Sequence, residues 1–389
     1  MDQKQYSTLL SVLQDQPDPR CRRGRRYPWP FLLVLLSSAL IAGQQGVHAM
    51  ADWLNLHATE LRARLQPSRD SMPSESTLRR VRREVDPTRL EQCLAEYMQG
   101  QAAKQAAPAA VVTNSGEVLQ GQALDGKELR GVRAHGQSLH LLSLVQHGTG
   151  QVLKQQDVAV KTNEITVAPD LLAGRDLRGI IITVDALLTQ RALAQQIIAQ
   201  HGHYLMVVKR NQGQLYEAIA LLFDQPPWLP REKEALCQVA RTVEKGHGRL
   251  EQRQLESSAA LLGYVDWPGA QQVLRRQCTR TGLKTGQVTT ETTYAITSLP
   301  AHEVGAAGLA QIWRGHWTIE NRVHYVRDVT LGEDACQVHV GSAPHVLAIL
   351  RTAILNLFRR DDWTNIADAV RYHAASISHT LALIGAVPT

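Results

Sequence analysis

The sequence contains few cysteines, and they follow no recognisable pattern. Five cysteines are spread over 389 residues, and no two of them form a CxxC pair. Cysteines spaced in this way indicate neither a zinc site nor the disulfide framework that is typical of small secreted proteins. It fits a protein of the reducing cytosol, which is where we expect this chain to act.

The sequence also lacks an apolar segment long enough to span a membrane, and it has no internal repeat. Residues 31–43 are apolar and follow a basic block, but the run has only thirteen residues, whereas a transmembrane helix needs about 20. The run also begins too late in the chain for a secretory signal. We therefore predict a buried helix here and no membrane partner.

Positive charge is concentrated near the N-terminus. The formal net charge is +6, with one arginine cluster in residues 20–26 and a second formed by Arg79, Arg80, Arg82 and Arg83. Lysine and arginine supply most non-specific affinity for nucleic acid, because they neutralise phosphates. The second cluster lies in a predicted helix that a helix-turn-helix interpretation would place on DNA. A charged surface helix without a ligand is the alternative.

The pattern of apolar residues divides the chain into segments. Residues 1–100 are predicted to form an all-α N-terminal DNA-binding domain, since short amphipathic segments are separated by prolines. Residues 101–116 are rich in alanine and glutamine and are predicted to be a linker. The helices predicted in the first segment are 5–14, 30–42, 47–56, 58–65, 74–85 and 87–99.

From residue 117 the pattern changes to strands. Three predicted strands (118–125, 138–147 and 150–160) precede an alternation of helices at 163–174, 189–201 and 212–223 with strands at 179–185 and 203–209. This is the order of a ribonuclease H-like α/β core, whose first part we assign to residues 117–225. A β-strand insertion is predicted over 226–300, with strands at 236–244, 249–256, 271–280 and 288–297. The second part of the core, 301–389, is predicted to hold a helix over 304–328, another over 343–360 and C-terminal helices.

Three acidic residues form the candidate active site. Asp125 and Asp185 each follow an apolar strand, and Glu320 lies in a tryptophan-rich helix. If the two strands end at one edge of the sheet, the three carboxylates can share two Mg²⁺ or Mn²⁺ ions, which lie about 3.5–4 Å apart in two-metal sites for phosphoryl transfer. No serine, tyrosine or cysteine is proposed as a nucleophile.

Each acid has a simpler interpretation as well. Asp125-Gly126 is most often a plain turn, and Asp185 could be the N-cap of the next helix. The third ligand could also be one of the acids that follow the helix, namely Asp328, Glu333 or Asp334.

Several basic residues are candidates for contacts with DNA phosphates. With a period of 3.6 residues, Trp313, His316, Glu320, His324 and Arg327 share one helix face. That mixture of types suits a site more than a core. The candidate DNA-binding residues outside the N-terminal cluster are Lys127, Lys209, His247, Arg249, His316 and Arg327.

Ordered sequence blocks resemble a known family, the bacterial insertion-sequence DDE transposases of the H-repeat-associated type. The resemblance runs from about residue 7 to 360, and its blocks are 123–131, 162–166, 183–186, 209–212, 244–251, 316–321 and 328–334. It implies a ribonuclease H-like core, dependence on Mg²⁺, cleavage at element ends and strand transfer. Asp125, Asp185 and Glu320 match the family's acidic triad.

The wider superfamily carries the pattern Y-x₂-R-x₃-E-x₆-K around its glutamate. Here the four positions hold Trp313, His316, Glu320 and Arg327. Three of them depart from that pattern, so the resemblance supports the metal ligands more than the phosphate contacts.

The sequence therefore predicts a transposase that acts on double-stranded DNA, at transposon ends and at a target. A homodimer is expected by analogy, because two ends must be joined. The protein is expected in the cytoplasm, and on the nucleoid when DNA is bound. One alternative is a non-catalytic or domesticated DNA-binding protein derived from a transposase. Another is a host nuclease that does not transfer strands.

Overall fold

The structure is a computed structural model, and it describes residues 6–23, 25–67, 69–102, 108, 110–129, 139–158, 163–224, 236–246 and 248–386. It is a mixed α/β fold built around one large sheet, as the sequence predicts. His247, one of the candidate DNA contacts, lies outside the described residues.

Six helices occupy the described residues before position 103, close to the predicted positions. α1 begins four residues later than predicted, because Thr8 is extended and its hydroxyl accepts a hydrogen bond from the backbone N–H of Ser11, a capping box. The helices are α1 (Leu9–Gln14), α2 (Trp29–Ile41), α3 (Val47–Leu56), α4 (Ala58–Leu65), α5 (Glu75–Glu84) and α6 (Pro87–Ala102).

α2 is the helix that the apolar run 31–43 predicts. Eleven of its thirteen residues are buried, because it packs among α1, α3 and the C-terminal helices rather than at the surface. Among the described residues, no helix has both the length and the apolar character needed to cross a membrane.

The strands form one ten-stranded sheet. In spatial order it runs β4, β3, β2, β5, β6, β10, β9, β8, β7, with β1 paired to β2 beside this path. The strands are β1 (Val111–Val112), β2 (Val118–Glu128), β3 (His140–Gln146), β4 (Val152–Val158), β5 (Ile180–Val184), β6 (His203–Val208), β7 (Cys237–Gly246), β8 (Arg249–Ser258), β9 (Gln272–Gly282) and β10 (Val288–Thr297).

The strands of the predicted insertion continue the sheet of the core. β10 pairs antiparallel with β6, with Tyr294 opposite Val208 and Thr297 opposite Leu205. The predicted linker also takes part, since Val111 and Val112 form β1 opposite the start of β2. These two residues are therefore part of the sheet, because their backbone N–H and C=O groups pair with those of β2.

Helices cover the sheet and follow it along the chain. They are α7 (Glu164–Leu172), α8 (Arg191–Ala199), α9 (Gly213–Asp224), α10 (Ala306–Gly315), α11 (Ala343–Arg360), α12 (Ile366–Ala374) and α13 (Ile377–Ile384). α11 is almost entirely buried and shares one apolar core with α1–α6, α12 and α13. The N-terminal helices thus pack on the C-terminal helices rather than around a core of their own.

The segment after α10 differs from the predicted continuous α-helix over 304–328. Two π-helical segments follow it, Glu320–His324 and Val326–Thr330. Their backbone N–H groups bond five residues back, from Tyr325 to Glu320 and from Leu331 to Val326. π-helical turns are wider than α-helical ones and are often found at functional sites.

Candidate active site

Asp125 and Asp185 are neighbours in the sheet. β2 and β5 pair in parallel, with Leu124 opposite Val184, so the next residue on each strand is an aspartate at the same level. The aspartate side chains lie close enough for their charges to interact. The structure thus brings together the two strand acids as the sequence predicts.

Asp125 does not end its strand, however. β2 continues through Glu128, and Asp125 lies opposite Ser143 of β3, so the interpretation of Asp125-Gly126 as a turn is wrong. Gly126 is required for a different reason. A Cβ at this position would lie 2.3 Å from the Glu164 carboxylate and 2.5 Å from the His140 ring, because these two side chains cross over the strand.

Glu164 is a fourth acid of the site that sequence reasoning missed. It opens α7 directly after the N-cap Asn163, and its Oε1 lies 2.6 Å from His140 Nε2. The Glu164 hydrogen bond is the main cause that raises the pKa of His140. The only signal for Glu164 in the sequence was its position in the block 162–166, which resembles the family. No role was assigned to that block.

Asp185 has a structural role in addition to its place beside Asp125. Its Oδ1 accepts a hydrogen bond from the backbone N–H of Leu188 at 3.0 Å. α8 begins only at Arg191, with Gln190 as its N-cap. Asp185 therefore stabilises the turn after β5 and is not the helix N-cap that the alternative interpretation required.

Glu320 and His324 approach Asp125 from the first π-helical segment. His324 Nδ1 lies 3.3 Å from Glu320 Oε2 and 3.7 Å from Asp125 Oδ2. One ligand atom from each of the three residues can be chosen so that all lie within 4.8 Å of one another. Such a group, with two carboxylates and an imidazole, can hold a divalent cation.

The pKa shifts show how like charges accumulate here. Burial, then the carboxylates of Asp185, Glu164 and Glu320, raise the pKa of Asp125 to about 7. Burial also raises the pKa of Asp185. We refer to Asp125, Asp185, Glu164 and Glu320 as the carboxylate cluster. A cation bound there would relieve both the mutual repulsion and the burial penalty.

Burial lowers the pKa of His324, although Glu320 opposes the shift. A neutral imidazole is the form that binds a metal. His324 is the second residue that sequence reasoning failed to assign to the site, although it lay on the predicted stripe with Glu320.

Arg327 lies at the end of the predicted stripe but faces the core. Its side chain is fully buried, and its Nε and Nη2 donate to the two oxygens of Glu333 at 3.0 and 2.9 Å. Its Nη1 donates to Gln155 at 3.0 Å. The prediction of a phosphate contact is therefore wrong, because π-helical turns rotate Arg327 away from the face that carries Glu320.

Lys127 is likewise unavailable to DNA. It is buried and forms an ion pair with Asp328. Asp328 and Glu333, two of the alternatives to Glu320, are thus each paired with a cation of the protein.

His316 is half-buried and supports the strand that leads to Asp185. Its Nδ1 is hydrogen-bonded to the Thr183 hydroxyl at 3.0 Å, and His147 Nε2 bonds the same hydroxyl at 3.0 Å. Burial lowers the pKa of His316 to about 4 and that of His147 to about 3. The prediction of His316 as a phosphate contact is not supported by these surroundings, because the lowered pKa disfavours a positive charge on the ring.

The remaining candidate cations are at the surface. Arg79, Arg80 and Arg83 are exposed on α5, whereas Arg82 is buried, so Arg82 does not belong to the exposed basic face. Lys209 is exposed at the end of β6, and its charge acts on Asp185.

Arg249 lies in a groove of about 650 Å³ between the insertion strands and α10. The groove combines arginines with an aromatic side chain, since Trp317 is half exposed in it. Its charged lining consists of Arg249, Arg253, Arg276, Arg280 and Arg314.

Comparison with known proteins gives the family. Residues 117–357, more than half of the chain, match the family "Transposase DDE domain", and residues 10–98 match "DDE_Tnp_1-associated". "Putative transposase YncI" of Escherichia coli O157:H7 is 28% identical over 364 residues, which cover 90% of this chain and 87% of that protein. "H repeat-associated putative transposase YhhI" of Escherichia coli K12 is 27% identical, over 93% of this chain and 92% of that protein.

A protein named "Uncharacterized protein in dhlA 3'region", from Xanthobacter autotrophicus, is 32% identical over 72% of this chain and 91% of its own length. A piggyBac transposase in a synaptic complex with hairpin DNA is a structural neighbour at 10% identity. It has a TM-score of 0.44 and covers 96% of this chain and 76% of that one. On the evidence of its sequence, the chain belongs to the DDE transposase family, together with the H repeat-associated proteins.

Proposed function

We propose that this chain is an insertion-sequence transposase that cleaves double-stranded DNA at element ends and transfers the freed strands into a target. The observation that carries the proposal is the convergence of Asp125, Glu320 and His324 beside Asp185, in a member of the DDE transposase family.

The residues fit a pair of Mg²⁺ or Mn²⁺ ions. Asp125, Asp185 and Glu320 would hold them as the catalytic and metal-binding triad, with His324 and Glu164 alongside. The fit rests on geometry, since Asp125, Glu320 and His324 offer ligand atoms within 4.8 Å of one another, and the charge of Asp185 acts on Asp125. When bound, such ions stabilise charge on the attacking and leaving oxygens of an in-line displacement at phosphorus.

The other residues of the site position and orient these carboxylates. The hydroxyl of Thr183, held between His147 and His316, fixes the strand that leads to Asp185. Lys209 is exposed near Asp185 and is placed to contact a flanking phosphate.

We propose a ribonuclease H-like core for the catalytic part. Its support is the central arrangement of parallel β2, β5 and β6, with β3 and β4 antiparallel on the side of β2. Asp125 and Asp185 lie on two adjacent parallel strands of that group.

DNA is proposed to contact two basic surfaces. The first is the exposed face of α5, with Arg79, Arg80 and Arg83. The second is the groove that holds Arg249 and Trp317, since a combination of cations and an exposed aromatic ring suits phosphates and bases. We further propose a homodimer, which would bring two element ends together, acting in the cytoplasm and on the nucleoid when DNA is bound.

The test is cleavage and joining of linear DNA that carries the element ends, with Mg²⁺. Asp125→Asn and Glu320→Gln should each lower the cleavage rate by at least about 10³-fold, since each removes a charge that would stabilise the transition state. DNA affinity measured in Ca²⁺ or EDTA should stay close to that of the parent chain. Asp176→Asn serves as a matched control, because this exposed acid pairs only with Arg178 among the described contacts.

The outcomes separate the alternatives. Binding of element ends without cleavage by the parent chain would favour a non-catalytic DNA-binding protein. Cleavage without joined products would favour a nuclease, and full cleavage by the Asp125→Asn variant would reject the proposed triad.

A further inference from the structure

A second group of metal-ligating side chains lies where the N-terminal helices meet the sheet. Glu91 of α6, Asp157 of β4 and His345 of α11 offer ligand atoms within 4.8 Å of one another. None of these residues belongs to the carboxylate cluster. We infer that they form a second, structural site for a transition-metal dication, with Zn²⁺ as its natural probe.

The imidazole of His345 carries the argument. His345 is only 9% exposed, and its Nε2 is buried and has no hydrogen-bond partner. The nearest acidic oxygen, Glu91 Oε2, lies 3.8 Å away, too far for a hydrogen bond. A buried imidazole nitrogen without a partner is costly, and a metal ion would satisfy it.

Gln155 holds the acid of this pair in position. Its Nε2 donates to Glu91 Oε1 at 3.4 Å, which leaves Glu91 Oε2 directed toward His345. Its own Oε1 accepts hydrogen bonds from Arg327 at 3.0 Å and from Thr352 at 2.9 Å. Metal ligands are typically held in this way by hydrogen bonds from neighbouring residues.

The third ligand comes from the same strand as Gln155. Asp157 lies two residues further along β4, so the two side chains point to the same face of the sheet. Asp157 is exposed, which leaves access for an ion and for the water that would complete a tetrahedral shell.

The donor set of this site suits Zn²⁺. Imidazole nitrogens and carboxylate oxygens are both ligands that zinc accepts in proteins. Ligands at 2.0–2.2 Å from a tetrahedral ion lie roughly 3.4 Å apart, and the 3.8 Å between His345 Nε2 and Glu91 Oε2 is already close to that value.

An ion at this position would join three elements that are distant in the sequence. It would connect α6 to β4 and to α11. Gln155, which is hydrogen-bonded to both Glu91 and Arg327, would link the ion site to Arg327. The site would therefore stabilise the packing of the N-terminal helices against the part of the chain that follows Glu320. This inference is independent of the proposed transposase activity.

The experiment measures Zn²⁺ binding by isothermal titration calorimetry on chelator-treated full-length protein. The background carries Asp125→Asn and Glu320→Gln, which weaken the carboxylate cluster. We expect one equivalent of Zn²⁺ to bind and to raise the unfolding temperature. Adding His345→Gln should abolish this binding, and adding Asp157→Asn, at an exposed position that leaves folding intact, should weaken it at least about 10-fold.

His302→Gln is the matched control, because His302 is exposed beside Glu303 in the same kind of histidine–acid pair. It should leave Zn²⁺ affinity unchanged. Absence of Zn²⁺ binding in the background, or unchanged affinity in both the His345→Gln and Asp157→Asn proteins, would overturn the inference and leave a simple His345–Glu91 ion pair. DNA cleavage by the parent chain is measured separately, so failure of one proposal does not imply failure of the other.

Discussion

Acidic side chains lie at both ends of the π-helical stretch, and their surroundings differ. The carboxylate cluster brings acids together, and the pKa of Asp125 rises to about 7. At the other end Glu333 is fully buried beside Arg327 and Arg351. Burial alone would raise the pKa of Glu333, but the two arginines hold it below its usual value.

The difference shows which group is complete within the chain. Glu333 has its cations in the protein, so we call Arg327, Glu333, Arg351 and Gln155 the arginine–glutamate network and assign it a structural role. The carboxylate cluster contains more acid than nearby cations balance. Perturbed groups of that kind are typical of functional sites, and the proposed metal ions would balance this negative charge.

Breaking the arginine–glutamate network should have the largest effect on stability. Arg327→Met leaves Glu333 buried without its bidentate partner, so the free energy of unfolding should fall by about 3–5 kcal/mol. Chemical denaturation monitored by circular dichroism measures this change. The double variant Arg327→Met/Glu333→Gln should recover part of the loss, and a single variant as stable as the parent would show that the network is not structural.

The carboxylate cluster should respond in the opposite direction. Asp125→Asn removes an acid whose pKa is raised from 3.8 to about 7, and in metal-free protein it should stabilise the fold by on the order of 1–3 kcal/mol above pH 7. The native protein binds more protons than the unfolded chain between these two pKa values. Parent stability attributable to Asp125 therefore falls as the pH rises through this window.

Unfolding midpoints measured from pH 4 to pH 8 test this behaviour. The stability gap between Asp125→Asn and the parent should be near zero at pH 4 and should grow until about pH 7. A gap that does not depend on pH would contradict the raised pKa.

Added metal should reduce the difference between the carboxylate cluster and the arginine–glutamate network. At ten times its dissociation constant, Mg²⁺ or Mn²⁺ should stabilise the parent chain by about 1.4 kcal/mol, since it binds only the folded state. Thermal unfolding with and without the ion measures the shift. The shift should be small in Asp125→Asn/Glu320→Gln, and an equal shift in both proteins would place the ion elsewhere.

The smallest effect is expected at a surface ion pair with no part in either group. Arg178 is 76% exposed beside Asp176, so Arg178→Ala should change the free energy of unfolding by less than about 0.5 kcal/mol. The same denaturation experiment measures it. A larger loss would mean that exposed pairs contribute to stability more than the comparison assumes.

The elements that sequence reasoning located correctly are those with a strong local signal. α2 follows from a continuous apolar run, and β5 from β-branched residues that end at Asp185. The position of Asp125 beside Asp185 followed in turn from the expected order of the strands. The coarse α/β class is confirmed, while the domain limits and the role of the triad stay predictions.

The errors concern features that depend on residues distant in the chain. The end of β2 was misplaced because Gly126 is needed for His140 and Glu164 to cross the strand, not for a turn. Arg327 and Lys127 were taken for surface cations because their partners, Glu333 and Asp328, could not be identified before the chain is folded. Glu164 was missed for the same reason.

By itself, the sequence determined the succession of helices and strands, the buried nature of residues 31–43 and the identity of the acids that are matched to the family. Local periodicity and residue type suffice for these properties. Only the tertiary structure decided which cations are neutralised inside the protein, which acids lie close to one another, and how the π-helical turns direct Glu320 and Arg327 to different surroundings. Coulombic and burial energies depend on distances in space, and these distances exist only once the sheet and its helices have assembled.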